Sequence, residues 1–211
     1  MRERRSGRRW LRSPTSKLTR GGRARRRYNC ARQEEWGERA EAAVALLAAH
    51  EDRCMATTAG ALLVADLGAG NERLRSLLAA RLEAEPEYRP YDLHPQLPTT
   101  ARLDAAREMP TGEFDVTICL GLLEYLPSVS DLAKRLAGTT RFALVSYVTS
   151  DSPVAMPHQQ RLEHGWTTHL KASEVEAAFT EASFRQVASA KAEGEITTLW
   201  LWENAAVERT Q

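Results

Sequence analysis

The sequence has little of what marks several large classes of protein. Its 211 residues include only three cysteines, Cys30, Cys54 and Cys119. Because they show no paired spacing, they predict neither a disulfide framework nor a zinc site, and they fit a reducing cytoplasm. No apolar run approaches the roughly 20 residues that a membrane helix requires, so we expect no membrane partner. Aromatic residues make up only 7% of the chain, but 43% of all residues are hydrophobic, which is enough for one globular core.

The net charge of +1 conceals two oppositely charged regions. Residues 1–27 contain twelve Lys or Arg and one acidic residue, for a net charge of +11, whereas residues 28–211 carry −10. The basic segment has too few apolar side chains to form a core, so we predict a disordered arm at 1–27 and one folded domain at 28–211. The arm fits either a solvated extension, which we favour, or a contact with the phosphates of nucleic acid.

Helical and extended patterns alternate along the folded domain. We predict helices at 33–50, 71–82, 128–138 and 172–182, a loop at 149–170, and strands at 61–66, 88–93, 114–120, 142–148, 184–190 and 195–202. Several of these strands are continuously apolar, which is typical of a parallel sheet covered on both faces. The last two strands flank Gly194 and predict an antiparallel pair. The expected fold class is therefore α/β, doubly wound and Rossmann-like.

A glycine turn joins the first predicted strand to the helix that follows it. Gly68 and Gly70 let the backbone turn sharply and approach a ligand closely. A dinucleotide site would have a third glycine where this chain has Arg73. Asp66 ends the strand, and its charge would repel a pyrophosphate but attract an ammonium group. The turn therefore favours S-adenosylmethionine over a nicotinamide dinucleotide.

At this point the chain resembles a known family over roughly residues 60–202. The matching segments, in order, are ALLVADLGAGNERLRSLL, YRPYDLH, FDVTICLGLLEYL and FALVSYV. They resemble the class I S-adenosylmethionine-dependent methyltransferases, in a bacterial small-domain form. The resemblance implies a seven-stranded, mostly parallel sheet with an antiparallel last strand, in a three-layer αβα sandwich. It also implies methyl transfer with S-adenosylmethionine as the cofactor.

The resemblance assigns cofactor-binding positions to residues from four segments. These positions are Asp66, Gly68, Ala69, Gly70, Asp92, Leu93, Asp104, Leu120, Gly121 and Leu122. Asp66 would lie near the ammonium group, Asp92 would accept hydrogen bonds from both ribose hydroxyls, and Asp104 would lie beside the adenine amino group. Many family members have a glycine where this chain has Glu72, and often a cysteine where it has Ala69. These departures leave open a relative that does not bind the cofactor.

Candidate catalytic residues lie mainly in the segment after the fifth predicted strand. An oxygen nucleophile often requires a general base, for which histidine is suited near neutral pH. The candidates are His158, His164 and His169, with Tyr147, at the end of the fifth predicted strand, as a group that would hydrogen-bond the substrate. Trp166 and Tyr125 are the predicted substrate contacts. The histidines have no acidic residue at a metal-binding spacing, so we predict no metal.

The expected function is methyl transfer to an oxygen or nitrogen atom of a small molecule, such as a sugar or a specialised metabolite. We expect a cytoplasmic monomer or homodimer. One alternative is a non-catalytic binding or regulatory subunit with the same fold. Another is an RNA methyltransferase that uses the basic arm, although the acidic domain contains no recognisable RNA-binding module.

Overall fold

A computed structural model describes residues 37–55 and 61–206. The predicted arm at 1–27 and the first residues of the helix predicted at 33–50 lie outside these described residues. The helices are α1 (Gly37–Ala48), α2 (Glu51–Cys54), α3 (Arg73–Arg81), α4 (Val129–Ala137), α5 (His158–His164) and α6 (Ala172–Glu181), with a 3₁₀ turn at Leu123–Tyr125. The strands are β1 (Leu63–Leu67), β2 (Glu87–Asp92), β3 (Ala101–Arg102), β4 (Phe114–Cys119), β5 (Thr140–Val148), β6 (Phe184–Ala192) and β7 (Thr197–Asn204).

The strands form one seven-stranded sheet in the order β3–β2–β1–β4–β5–β7–β6. Strands β1 to β5 pair in parallel. Strand β7 runs antiparallel to both of its neighbours, β5 and β6. The predicted mostly parallel sheet with an antiparallel last strand is confirmed, and so is the antiparallel pair around Gly194. In such a sheet, ligands bind at the carboxyl ends of the parallel strands.

Helices cover both faces of the sheet, as the three-layer prediction requires. Strand β5 shows this best, because its side chains alternate between two cores. Ala143 and Val145 belong to the core under α4 and α6. Phe142 and Leu144 belong to the core under α1 and α3. The continuous apolar run in the sequence therefore reflects burial on both sides.

The sequence also accounts for where α4 begins. Ser128 has an extended backbone, and its side chain accepts a hydrogen bond from the backbone N–H of Asp131, as an N-cap does. The buried residues of α4 recur at intervals of three and four: Val129, Leu132, Ala133 and Leu136. This spacing places one apolar stripe against the sheet.

Two short elements differ from the sequence prediction. Strand β3 has only two residues, both exposed, so it produces no apolar alternation. Helix α5 lies within the segment predicted as a loop at 149–170. Its Leu162 is exposed and its Arg161 is buried, which is the reverse of the amphipathic pattern that predicts a helix. None of the described helices is long and apolar enough to cross a bilayer.

Candidate active site

The glycine turn links the ends of two neighbouring strands. Gly68 and Gly70 have φ angles of +81° and +54°, in the left-handed region that favours glycine. The backbone N–H groups of Gly68 and Ala69 donate to the carbonyl oxygen of Tyr91, over 2.8 and 3.0 Å. A Cβ atom on Gly68 would lie 3.4 Å from Leu122 Cδ1. The turn is therefore held tightly at the carboxyl edge of the sheet.

Asp92 ends β2 with its carboxylate oriented by backbone groups. Its Oδ2 accepts from the Gly70 N–H over 3.0 Å, and its Oδ1 accepts from the His94 N–H over 2.8 Å. The residue is 6% exposed. Because each carboxylate oxygen has a second lone pair, Asp92 can accept two further hydrogen bonds, as the two hydroxyls of a ribose would require. The half-buried Leu93 follows it directly.

Asp66 is a buried carboxyl group near the end of β1. It is 3% exposed and accepts a hydrogen bond from the Tyr88 hydroxyl. Burial raises the pKa of Asp66 to about 7, and the charges of Asp92 and Glu72 add to this, while the hydrogen bond from Tyr88 opposes it. Its ionisation state is therefore sensitive to a nearby cation at neutral pH.

Asp104 lies just beyond the end of β3. Its Oδ1 accepts from the Ala106 N–H over 3.1 Å, and its Oδ2 lies 3.5 Å from Arg107 Nε. The N–H of Leu103 donates to the carbonyl oxygen of Asp92 over 3.0 Å, which joins this segment to the end of β2. Three acidic residues thus lie near the carboxyl ends of three adjacent strands. We call residues 66–72 and 92–104 the acidic half of the site.

Glu72, the main departure from the family pattern, does not point into the space between these acids. It is 7% exposed, with a φ of +57°. Its Oε1 accepts from the hydroxyls of Thr99 and Thr100, over 2.5 and 2.6 Å. Its Oε2 accepts from Nε and Nη2 of Arg75, over 2.9 and 2.7 Å. The side chain is therefore held against the loop that precedes β3.

The segment after β4 contributes the half-buried Leu120, Gly121 and Leu122. Gly121 has a φ of +61°, and its N–H donates to Ser146 Oγ over 2.8 Å. A Cβ on Gly121 would lie 2.6 Å from Nη1 of Arg39, so a larger residue would displace that guanidinium group. The sequence reasoning missed Arg39, which is 5% exposed. The sequence feature that could have revealed Arg39 is its position as a charged residue among the buried, otherwise apolar residues of α1.

Arg39 reaches from α1 across the carboxyl edge of the sheet. Its Nη2 donates to Glu193 Oε2 over 2.9 Å and to Thr197 Oγ1 over 3.1 Å. Glu193 lies in the turn that joins β6 to β7, and Thr197 is the first residue of β7. Arg39 therefore connects the first described helix to the last hairpin beside Gly121.

The three predicted histidines make two aromatic ring contacts, one between two histidines and one between a histidine and a tryptophan. The rings of His158 and His169 are edge to face, with centroids 4.3 Å apart. The rings of His164 and Trp166 are stacked, with centroids 5.2 Å apart. The pKa of His169 is lowered because burial disfavours the imidazolium form, and the charges of His158 and Arg161 add to this effect. We call residues 120–126 and 147–170 the histidine half of the site.

Burial of Trp166 and Tyr147 counts against their predicted substrate contacts. Trp166 is 4% exposed, and the Arg161 guanidinium carbon lies 5.5 Å from its ring centroid. Tyr147 is fully buried. Its hydroxyl donates to Thr168 Oγ1 over 3.1 Å and accepts from the Leu170 N–H over 2.9 Å. Both side chains hold the segment after β5 in place, whereas the half-buried Tyr125 stays a candidate.

Two buried charged groups in the histidine half were not predicted. Glu124 is 1% exposed, its Oε1 accepts from the Val148 N–H over 3.0 Å, and its Oε2 has no hydrogen-bond partner among the described residues. Burial raises the pKa of Glu124, against the charges of Arg39 and Arg161. Arg161 is 1% exposed, and its Nη2 donates to the carbonyl of Thr149 over 2.6 Å. No local sequence pattern marks either residue as buried.

Within 37–55 and 61–206, no group of three or more His, Cys, Asp or Glu side chains is arranged to hold a metal ion. Cys119 lies in the core, and burial raises the pKa of its thiol. A thiol in that state is a poor nucleophile. The arrangement therefore offers carboxylates on one side and imidazoles on the other.

Comparison with known proteins identifies the fold. No protein-family model matches the sequence, and no curated protein matches it. Among solved structures, the Burkholderia thailandensis 1,6-didemethyltoxoflavin-N1-methyltransferase matches with a TM-score of 0.63 and 18% identity, over 92% of this chain and 93% of that chain. It was crystallised with 1,6-didemethyltoxoflavin and S-adenosylhomocysteine.

Two further structures with bound S-adenosylhomocysteine show the same similarity. The magnesium protoporphyrin IX methyltransferase of Synechocystis PCC 6803 matches with a TM-score of 0.57 and 17% identity, over 86% of this chain and 93% of that chain. The N-methyltransferase NodS of Bradyrhizobium japonicum matches with a TM-score of 0.53 and 12% identity, over 75% and 83%. At these identities the comparisons establish the fold, which is the Rossmann-like methyltransferase fold expected from the sequence.

Proposed function

We propose that this protein transfers a methyl group from S-adenosylmethionine to an oxygen or nitrogen atom of a small molecule. The observation that carries the proposal is the acidic half of the site. Three acidic residues lie near the carboxyl ends of β1, β2 and β3, beside a glycine turn whose backbone a ligand can approach closely. This arrangement suits a ligand with an ammonium group, a ribose diol and an adenine amino group, all of which are hydrogen-bond donors.

Each acidic residue has a distinct part in this proposal. Asp92 accepts from the ribose hydroxyls with the lone pairs that Gly70 and His94 leave available. Asp66 balances the ammonium charge from its buried position. Asp104 accepts from the adenine amino group at the end of β3. Gly68 and Gly70 admit the methionyl part because they have no side chain.

The histidine half supplies the acceptor side. S-adenosylmethionine provides an electrophilic methyl group on a sulfonium, which the acceptor takes by in-line displacement. The protein then has to align the acceptor and remove its proton. His169 is the best-placed base, because its lowered pKa keeps the imidazole neutral near pH 7. His158, in ring contact with it, and His164 remain further candidates.

The similar proteins support a small heteroaromatic acceptor. One acts on 1,6-didemethyltoxoflavin and another on magnesium protoporphyrin IX, as their names state. We therefore extend the small-molecule acceptor class to this protein and place the acceptor over β4 and β5.

Titration calorimetry with S-adenosylhomocysteine tests the cofactor site directly. We expect the wild-type protein to bind it and Asp92→Ala to bind at least about tenfold more weakly, because two charge-assisted hydrogen bonds to the ribose are lost. Asp52→Ala removes an exposed carboxylate of α2 and serves as the matched control. Absence of binding to the wild-type protein would contradict the proposal.

Turnover separates an enzyme from a binding protein with the same fold. The alternative of a non-catalytic subunit was motivated by Glu72, whose side chain would fill the cofactor site if it pointed inward. The hydrogen bonds that Glu72 accepts hold its side chain against Arg75 and the loop before β3, which supports the enzyme. Transfer of a labelled methyl group to any member of a panel of phenols, amines and N-heterocycles supports the enzyme. Binding without transfer across the panel supports the subunit.

A further inference from the structure

Glu72 occupies a backbone conformation that is unfavourable for any residue with a side chain. Its φ of +57° lies in the left-handed region, where the Cβ atom of a residue other than glycine comes too close to the following carbonyl oxygen. The family pattern places a glycine at this position. The four hydrogen bonds that its carboxylate accepts therefore have to offset a cost that glycine would avoid.

The segment that Glu72 contacts has few other attachments. Thr99 and Thr100 directly precede β3, and β3 pairs with β2 through only two residues, Ala101 and Arg102. Such a short exposed strand is weakly specified by its own pairing. Because both threonine hydroxyls donate to one carboxylate, Glu72 fixes the start of β3 relative to the glycine turn.

The Glu72 carboxylate is also connected to β1 and β2, through the side chains of Arg75 and Tyr88. Arg75 donates two hydrogen bonds to Glu72 and lies over the Tyr88 ring, 4.7 Å from its centroid. Tyr88 in turn donates to Asp66. Burial alone would raise the pKa of Glu72, but the bonds from Thr100, Thr99 and Arg75 lower it. Glu72 is therefore an ionised group within a continuous polar network around the acidic half.

We propose that Glu72 is a positioning residue for the adenosine half of the cofactor, holding β3 and Asp104 at a fixed distance from Asp92. The inference rests on the proposed function, since it presumes that the acidic half binds S-adenosylmethionine. Glu72 touches neither partner of the reaction. It acts through Thr99 and Thr100 on the position of β3 and Asp104, which would contact the adenosine.

Two probes separate this role from a general effect on stability. S-adenosylhomocysteine contacts the whole acidic half, whereas 5′-methylthioadenosine has no amino acid end. We expect Glu72→Ala to weaken binding of both probes by the same factor, about tenfold. Without the charge-assisted hydrogen bonds of Glu72, β3 and Asp104 are no longer held at a fixed distance from Asp92. Asp66→Asn, by contrast, weakens only S-adenosylhomocysteine. Glu83→Gln, an exposed charge change next to the end of α3, leaves both affinities unchanged.

Glu72→Gly separates affinity from stability. It relieves the left-handed strain, so we expect it to melt at a higher temperature than Glu72→Ala and yet bind both probes as weakly. Thr100→Val removes one hydroxyl from the opposite side of the contact, and it keeps the test possible if the Glu72 variants fail to fold. We expect Thr100→Val alone to weaken both probes by equal factors, and its effect should be non-additive with that of Glu72→Ala in a double-mutant cycle.

The outcomes are distinct. Equal weakening of both probes supports the inference. Unchanged affinities, or weakening of S-adenosylhomocysteine alone, would overturn it. Failure of the wild-type protein to bind S-adenosylhomocysteine would instead overturn the proposed function, independently of Glu72.

Discussion

The acidic half and the histidine half of the site are built in different ways. In the acidic half, Asp92 is oriented by the backbone N–H groups of Gly70 and His94, which lie in turns directly after strands. In the histidine half, Glu124 and Arg161 bind the backbone at the end of β5 from segments far apart in sequence. All three groups bind backbone atoms, but Asp92 belongs to a strand of the sheet, whereas Glu124 and Arg161 belong to the 3₁₀ turn and to α5. Their positions therefore depend on how these two short elements pack on the sheet.

This difference suggests that cofactor binding and acceptor chemistry can be altered separately. Variants in the histidine half should change turnover and leave cofactor affinity intact. Variants in the acidic half should change cofactor affinity first. If the two halves are independent, a variant in one half changes either turnover or cofactor affinity, but not both.

The largest effect is expected for His169→Ala. If the neutral imidazole removes the acceptor proton, the turnover number falls by about 10² to 10⁴, while the affinity for S-adenosylhomocysteine stays within about twofold. The measurement is methyl transfer to whichever acceptor the panel identifies, together with calorimetry. His50→Ala, next to the short helix α2, is the control. Unchanged turnover would remove His169 as the base, and a loss of cofactor affinity would show that the halves are coupled.

The sequence could predict the acidic half better than the histidine half for the same physical reason. Asp66 and Asp92 are the last or next-to-last residues of strands, so predicting those strands also placed the carboxylates. Helix α5 has a buried arginine and an exposed leucine, so its sequence lacks the pattern that reveals a helix. Residue type alone predicts substrate contacts for Trp166 and Tyr147, whereas their burial depends on how the segment after β5 packs.

The short strand β3 shows a second limit. Its two exposed residues carry no period-two signal, so only the family resemblance implied a seventh strand. The position of the Glu72 side chain could not be predicted from the sequence either. It depends on hydrogen bonds from Thr99 and Thr100, which lie 27 and 28 positions later. Local patterns predicted the layers of the fold, whereas these long-range bonds required the structure.

The next largest effect concerns pH and Asp66. Its pKa of about 7 in the free protein results mainly from burial, and a bound ammonium group would favour the ionised form. Binding therefore releases a proton below that pKa, and affinity for S-adenosylhomocysteine should rise with pH, by up to about tenfold per unit between pH 5 and 7. Calorimetry across this range measures it. A flat profile would mean that Asp66 does not face the ammonium group.

Stability should change with pH in the opposite direction. The folded-state pKa of Asp66 is raised above its ordinary value of 3.8, so the folded protein binds the proton more tightly than the unfolded chain. This contribution is complete below about pH 4 and is lost as the pH rises through about 7. The loss is on the order of 4 kcal/mol at most. Asp66→Asn should flatten this part of the pH dependence of urea unfolding, and an equally steep curve in the variant would assign the slope to another group.

The smallest effect is expected for Tyr147→Phe, which tests whether the interior of the histidine half is structural. The variant keeps the ring but removes a hydroxyl that donates to Thr168 and accepts from the N–H of Leu170. Losing these two bonds should lower the free energy of unfolding by about 1–2 kcal/mol. The double variant Tyr147→Phe/Thr168→Val should lower it by less than the sum of the two single changes, since both remove the same contact. Turnover and cofactor affinity should not change, because the hydroxyl is buried and its donor is already used within the protein. A fall in kcat/KM without a loss of stability would instead make Tyr147 the substrate contact predicted from the sequence, and would mean that the segment over β5 opens to admit the acceptor.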